Sequence, residues 1–241
     1  MKRAPLPGVD PSIYLAALPL LVRNPSIVIV PLLMAVIGIL VGRLFTPGGA
    51  DLGGITGGIL QLFVFLLMLF GLGTACIIAD DAWRHGRASF ENGWVEARRR
   101  APEILMAAIG VSFVLAIGQY ASALLGAIGY LLLAAAAFFL IFAIPAAAVG
   151  GVPGGAAIQV SIDRVRANPL SAALATIVTI GLVIVVTPIL TGLVLTWLAP
   201  YLTGFSVIGS LIEAVFQAIF VSYSALIVTK SYTDAAFGRR F

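Results

Sequence analysis

From Ile104 to Gly150 the chain carries no charged residue. A helix rises about 1.5 Å per residue and a bilayer core is about 30 Å thick, so one crossing takes about 20 residues. The stretch is far too long for one crossing and must fold back as a hairpin, with its turn near Leu124 to Gly129. Composition says the same of the whole chain. Of 241 residues, 61% are hydrophobic and 10% are charged, and the mean hydropathy is +1.12. A soluble domain carries about 25% charged residues. A chain this poor in charge cannot cover a water-facing surface, so lipid is its solvent over most of its area. The net charge of +4 then reflects loop bias, and nucleic acid is not among the expected partners.

Applying the same length criterion along the chain gives six spans, at about 26–45, 59–79, 104–124, 129–149, 170–198 and 206–229. The fold class is all-α integral membrane, a single domain over 1–241. The first span holds Gly38 and Gly42, a spacing that allows close helix approach. In the fifth, Thr187-Pro188 predicts a kink, because proline removes a backbone hydrogen bond. Trp197 and Tyr201 flank the turn into the sixth span and suit an interfacial aromatic belt. The N-terminal MKRAPLPGVDPSIY lacks a compact apolar core with a cleavage site, so the first span is expected to act as its own insertion signal.

Three short segments interrupt this apolar pattern. Residues 10–23 begin with Asp10 as N-cap and Pro11, contain Pro19, and are too short to cross. The charged island Asp80 to Glu103 contains an amphipathic helix entered at Ser89, with Phe90, Trp94, Ala97 and Ala101 on one face, expected to point Phe90 and Trp94 at lipid. Before the fifth span, AAIQVSIDRVRANP aligns Ile158, Ile162 and Val165 on one face. All three segments are expected to lie at the membrane interface.

Cation placement sets the topology. Lys2, Arg3, Arg23, Arg84, Arg87, Arg98, Arg99, Arg100, Arg164, Arg166, Lys230, Arg239 and Arg240 fall on one side of a six-span chain, and only Arg43 on the other. The positive-inside rule puts the first side, with both termini, in the cytoplasm of a prokaryotic inner membrane.

The junctions Arg23-Asn24-Pro25, Arg100-Ala101-Pro102 and Arg166-Ala167-Asn168-Pro169 each end a short segment and precede a long apolar run. Arginine anchors at headgroup level while proline ends the surface helix and turns the chain into the bilayer. Residues 10–79, 88–150 and 156–229 therefore read as three parallel hairpin repeats, each preceded by a short cytoplasmic interfacial helix. Arg23, Arg98, Arg99, Arg100, Arg164 and Arg166 are the expected headgroup anchors. The GRASF…EARRRAPEIL turn and the IDRVRANP segment resemble a broad class of uncharacterised bacterial and archaeal six-span proteins. That class is similar to the membrane domain fused to some glycerophosphodiester phosphodiesterases. The resemblance implies fold and location; the catalytic domain has no counterpart here.

No metal-ligand cluster, nucleophile elbow or phosphate loop appears, and no cofactor is expected. His85, the one histidine, sits among Arg84, Arg87, Asp80 and Asp81 and reads as solvated. Cys76 reads as a small buried hydrophobe. Glu213 is the one acid inside an apolar run, with Gln217 a turn further on and a small-residue stripe, Ser206, Ser210, Ala214, Ala218 and Ser222, beside it. The stripe implies tight helix contact, and Glu213 is expected to face the bundle interior with Arg43 or Gln119 as partner.

Two function classes follow. One is a non-enzymatic scaffold, lipid-interacting protein or complex subunit, touching anionic headgroups, a second copy of itself or another membrane protein. The other is a small permease for an ion, lipid or small solute that uses Glu213 and the Pro188 kink.

Overall fold

A computed structural model describes residues 10–45, 55–198 and 205–237. The N-terminal Lys2 and Arg3, the turn residues Pro47 and Asp51, Tyr201, and the C-terminal Arg239 and Arg240 lie outside them. The helices are α1 (Ser12–Arg23), α2 (Ser26–Phe45), α3 (Ile55–His85), α4 (Phe90–Arg99), α5 (Ala101–Leu125), α6 (Ala127–Leu140), α7 (Ala143–Ala148), α8 (Gly154–Ala167), α9 (Pro169–Ile180), α10 (Thr187–Leu198) and α11 (Phe205–Phe237). A π-helical segment, Gly181–Val186, joins α9 to α10.

Six helical stretches are long and apolar enough to cross a membrane: Ser26–Phe45, Gly57–His85, Ala101–Leu125, Ala127–Ala148, Pro169–Leu198 and Val207–Asp234. The third and fourth are the expected hairpin. It closes at Gly126, whose φ of +56° is a conformation that glycine adopts without steric cost. The second span runs past Ala79 to His85, so Asp80, Asp81 and Arg84 ride on its last two turns instead of lying in a loop. Carboxylate and cation at i and i+4 support that extension: Arg84 meets Asp80 and His85 meets Asp81, each at 2.8 Å.

The fourth span breaks at Ile141–Phe142, between α6 and α7. Two backbone groups are freed there, and a side chain from α8 takes both. Ser161 accepts the Phe142 N–H at 3.1 Å and donates to the Phe139 carbonyl at 2.7 Å. In the fifth span the π segment directly precedes Pro188, where the proline cannot donate and the helix widens; Thr187 Oγ1 donates to the Leu182 carbonyl at 3.1 Å.

The second helix of each hairpin forms the middle of the bundle, with α3 packed on α7 and α11. Each first helix packs on its own partner and on the second helix of another hairpin: α2 on α3 and α11, α5 on α6 and α3, α9 on α11 and α6. The short helices follow the same rotation, α1 on α11, α4 on α3, and α8 on α5, α6 and α7. Small residues make this possible. Ala75, Ala79, Ala82, Ala148 and Ala225 pack with Ile27, Ile78, Ile104 and Leu226 in one fully buried cluster. Gly38 is close enough to α3 that a Cβ would meet Val64 at 3.1 Å, so the first glycine of that pair is a helix contact.

The short helices bury more of themselves than surface segments would. On α1, Ile13, Ala17 and Leu21 are buried while Leu15, Leu18 and Val22 are exposed. On α4, Gly93 and Ala97 pack against α3, and Trp94 meets Phe70 edge-on with ring centroids 6.4 Å apart. Both Trp94 and Phe90 are half-buried. They stack on each other, 6.5 Å between centroids, over the side of α3. On α8 the buried stripe is Gly154, Ala157, Ser161 and Val165, and Ile158 and Ile162 are only half-buried.

Candidate functional site

Most of the described cations gather at one end of the bundle, and the side chains that hold that end together can be named. Asn24 follows Arg23 at the end of α1 and is buried. Its amide donates to the carbonyls of Leu20 at 2.9 Å and Gly86 at 3.3 Å, and its Oδ1 accepts the Ala88 N–H at 2.8 Å. Ser26 adds a bond to the Ala88 carbonyl at 3.4 Å. The α1–α2 junction is thereby fastened to the α3–α4 loop, with Arg87 between the two bonded residues. Asn168, before Pro169, repeats the conformation of Asn24: φ −140°, ψ 66° against φ −128°, ψ 67°. Both lie outside the α region, which a following proline disfavours. At the middle junction Arg100 adopts φ −95°, ψ 9°, and α5 starts at once.

Arg100 serves the bundle instead of facing outward. Its Nε bonds Glu96 at 2.5 Å, and its Nη1 donates to the carbonyls of Ala148 at 2.9 Å and Val149 at 3.1 Å. These are orphan groups at the C-terminal end of α7, where a cation also opposes the helix dipole. Glu96 takes a second bond from Arg99 at 2.7 Å. That bond, aided by Arg100 and opposed by partial burial, holds the Glu96 carboxyl below the usual range. Arg164 lies 5.0 Å from the Tyr232 ring centroid, a cation–π contact that ties α8 to α11. Lys230 is 5.9 Å from the Trp83 ring and pairs with Asp234 at 2.8 Å.

Of the six expected headgroup anchors, Arg23, Arg98, Arg99 and Arg166 are exposed. Arg100 and Arg164 are committed to protein contacts. Asn24, Ser161 and Arg87 were not singled out by sequence pattern. Asn24 carried one signal, an asparagine directly before a junction proline.

At the other end the expected polar site does not assemble. Glu213 is exposed, which corrects the expectation that it faces the interior. The inner part of the stripe packs, with Ala214, Ala218 and Ser222 buried; Ser210 is half-buried, and the Ser206 side chain lies outside the described residues. Neighbouring residues sit about 100° apart around a helix of 3.6 residues per turn, so burying Ala214 turns Glu213 aside. Glu213 shares its line with Gly209, which lies against Leu195 of α10, and with Gln217, whose amide nitrogen is 3.7 Å from Met68 Sδ on α3. It therefore lies between α10 and α3. Arg43 donates to Ser210 at 3.4 Å, and the ion pairs among the described residues do not include Glu213. Gln119 is exposed on α5, which packs on α3, α4, α6, α7 and α8.

His85 and its partner Asp81 are both exposed, and Cys76 is buried. Among the described residues no three His, Cys, Asp or Glu side chains converge as metal ligands. No family model, no curated protein and no solved structure matches the chain.

Proposed function

We propose that the chain is a non-enzymatic, multi-pass protein of the prokaryotic inner membrane that works through lipid contacts at its cytoplasmic face. Both termini lie on that face, by the positive-inside rule. Three parallel units, each a short interfacial helix followed by a transmembrane hairpin, make up the domain. The rotation of packing partners from unit to unit and the matched conformations of Asn24 and Asn168 support that repetition.

The observation that carries the reading is that Arg23, Arg98, Arg99 and Arg166 stay exposed on short helices whose other faces are fastened to the bundle. Each such cation near an anionic surface contributes about 1 kcal/mol of attraction. Carried on helices fastened to the bundle, they face headgroups without the entropy cost of ordering a tail. Purification from a membrane of known composition tests this. The expected result is co-purified phospholipid enriched in anionic species over the bulk, with enrichment falling as salt rises. Co-purified lipid of bulk composition contradicts it.

A second reading, permeation of an ion or small solute, draws on the exposure of Glu213 between α10 and α3 and on the π segment before Pro188. An ionisable group at membrane depth is costly and marks pathways in transporters. Flux through vesicles that Glu213→Gln abolishes, with abundance unchanged, is its test.

A further inference from the structure

We infer that Arg23 and Arg87 form a discrete site for the phosphate of one anionic phospholipid, whose acyl chain lies along the exposed face of α1. Three observations converge. Asn24 bonds the residues on either side of Arg87, so two arginines 64 positions apart in sequence are brought to one junction. Arg84, Arg99, Arg100 and Lys230 each meet a carboxylate, but no ion pair among the described residues engages Arg23 or Arg87. Two exposed arginines rooted at one junction can both serve a single anion, and the planar fork of arginine matches phosphate oxygens. Finally, Leu15, Leu18 and Val22 are exposed at i, i+3 and i+7 and lead directly to Arg23. A stripe of apolar side chains ending in two cations complements a phospholipid, chain and headgroup together, and offers free phosphate nothing along its apolar length.

The site rests on the lipid-binding reading above, and the test separates the two. Full-length protein, purified and delipidated in detergent, is titrated with phosphatidylglycerol and followed by native mass spectrometry. Phosphatidylcholine and inorganic phosphate serve as parallel titrants. Wild type is expected to take up one phosphatidylglycerol ahead of all others. Arg23→Gln/Arg87→Gln should weaken that first event by about tenfold or more, while Arg43→Gln, at the opposite end of the bundle, leaves it unchanged. Arg23→Lys/Arg87→Lys, which keeps charge and fold, should give intermediate weakening. Equal uptake by both glutamine variants overturns the site while sparing the general reading. No preference of wild type for phosphatidylglycerol over phosphatidylcholine overturns both. Occupancy by inorganic phosphate matching that of the lipid overturns the phospholipid assignment.

Discussion

The hydroxyl of Ser161 on α8 accepts the N–H of Phe142, the residue at which the fourth span breaks, at 3.1 Å. The same hydroxyl donates to the Phe139 carbonyl at 2.7 Å. A break in a crossing helix is tolerated only where the freed backbone groups find partners. Here the partner comes from the short helix ahead of the next span. Ser161→Ala leaves a buried donor and acceptor unsatisfied and should cost about 1–3 kcal/mol. Thermal unfolding in detergent should show a lower midpoint than wild type, and Ser161→Thr should recover part of the difference.

Asn24 makes three side-chain bonds from a buried position, so its loss should exceed that of an exposed asparagine. Asn24→Ala is expected to destabilise by about 2 kcal/mol or more, since each unsatisfied buried group costs about 1–3 kcal/mol. Limited proteolysis should then cut first at the 86–89 loop, which Asn24 holds. Cleavage no faster than in wild type would contradict that role.

Glu96 links stability to pH. Its carboxyl is held below its ordinary value of 4.5, chiefly by the bond from Arg99. A group with a lowered folded pKa contributes stability that is present above the unfolded value and lost as pH falls through the folded one. The wild-type midpoint should therefore drop below about pH 4.5 relative to that of Glu96→Gln, with the two profiles parallel at higher pH. Profiles that stay parallel down to pH 3 would show that the pair contributes nothing.

Gly154 and Gly155 give a matched comparison. A Cβ on Gly154 would sit 2.6 Å from the Glu103 carbonyl oxygen and 2.9 Å from the Ala107 nitrogen, whereas one on Gly155 meets nothing within 4 Å. Backbone atoms cannot rotate away, so Gly154→Ala must push α8 off α5. Overpacking of this kind costs about 1–3 kcal/mol. Gly155→Ala should leave the unfolding midpoint within error of wild type.

Glu213 has no ion pair to lose among the described residues. Glu213→Gln should leave expression and unfolding midpoint unchanged, while Ala218→Leu, on the buried stripe one turn away, should destabilise by about 1–3 kcal/mol or more. A large loss of folded protein in Glu213→Gln would show that the carboxylate is structural.

Much of this fold was legible in the sequence because lipid imposes few solutions: apolar runs of fixed length, glycine at the hairpin turn, proline where the fifth span changes register. The Gly126 turn and the irregularity before Pro188 followed from these rules. Three things did not. The extension of α3 to His85 depends on i, i+4 pairs that look, in sequence, like a solvated loop. The break at Ile141–Phe142 lies four residues before Pro145, whose missing N–H frees the Ile141 carbonyl, but the hydroxyl that stabilises it lies 19 residues away on another helix. The orientation of Glu213 turns on a difference of one residue: periodicity identified the small-residue stripe correctly, but a stripe says which face packs and not how far the packing extends around the helix. For the same reason Arg100 and Arg23 look alike in sequence, although one caps α7 and the other is exposed.

The central claim is that the cation-bearing end recognises anionic headgroups. Spin-labelled lipids in reconstituted vesicles test it most directly, by the fraction of each lipid immobilised at the protein surface. A larger immobilised fraction is expected for phosphatidylglycerol than for phosphatidylcholine, reduced by high salt and by Arg23→Gln/Arg98→Gln/Arg99→Gln/Arg166→Gln. Equal fractions for the two lipids, unmoved by salt, would contradict it.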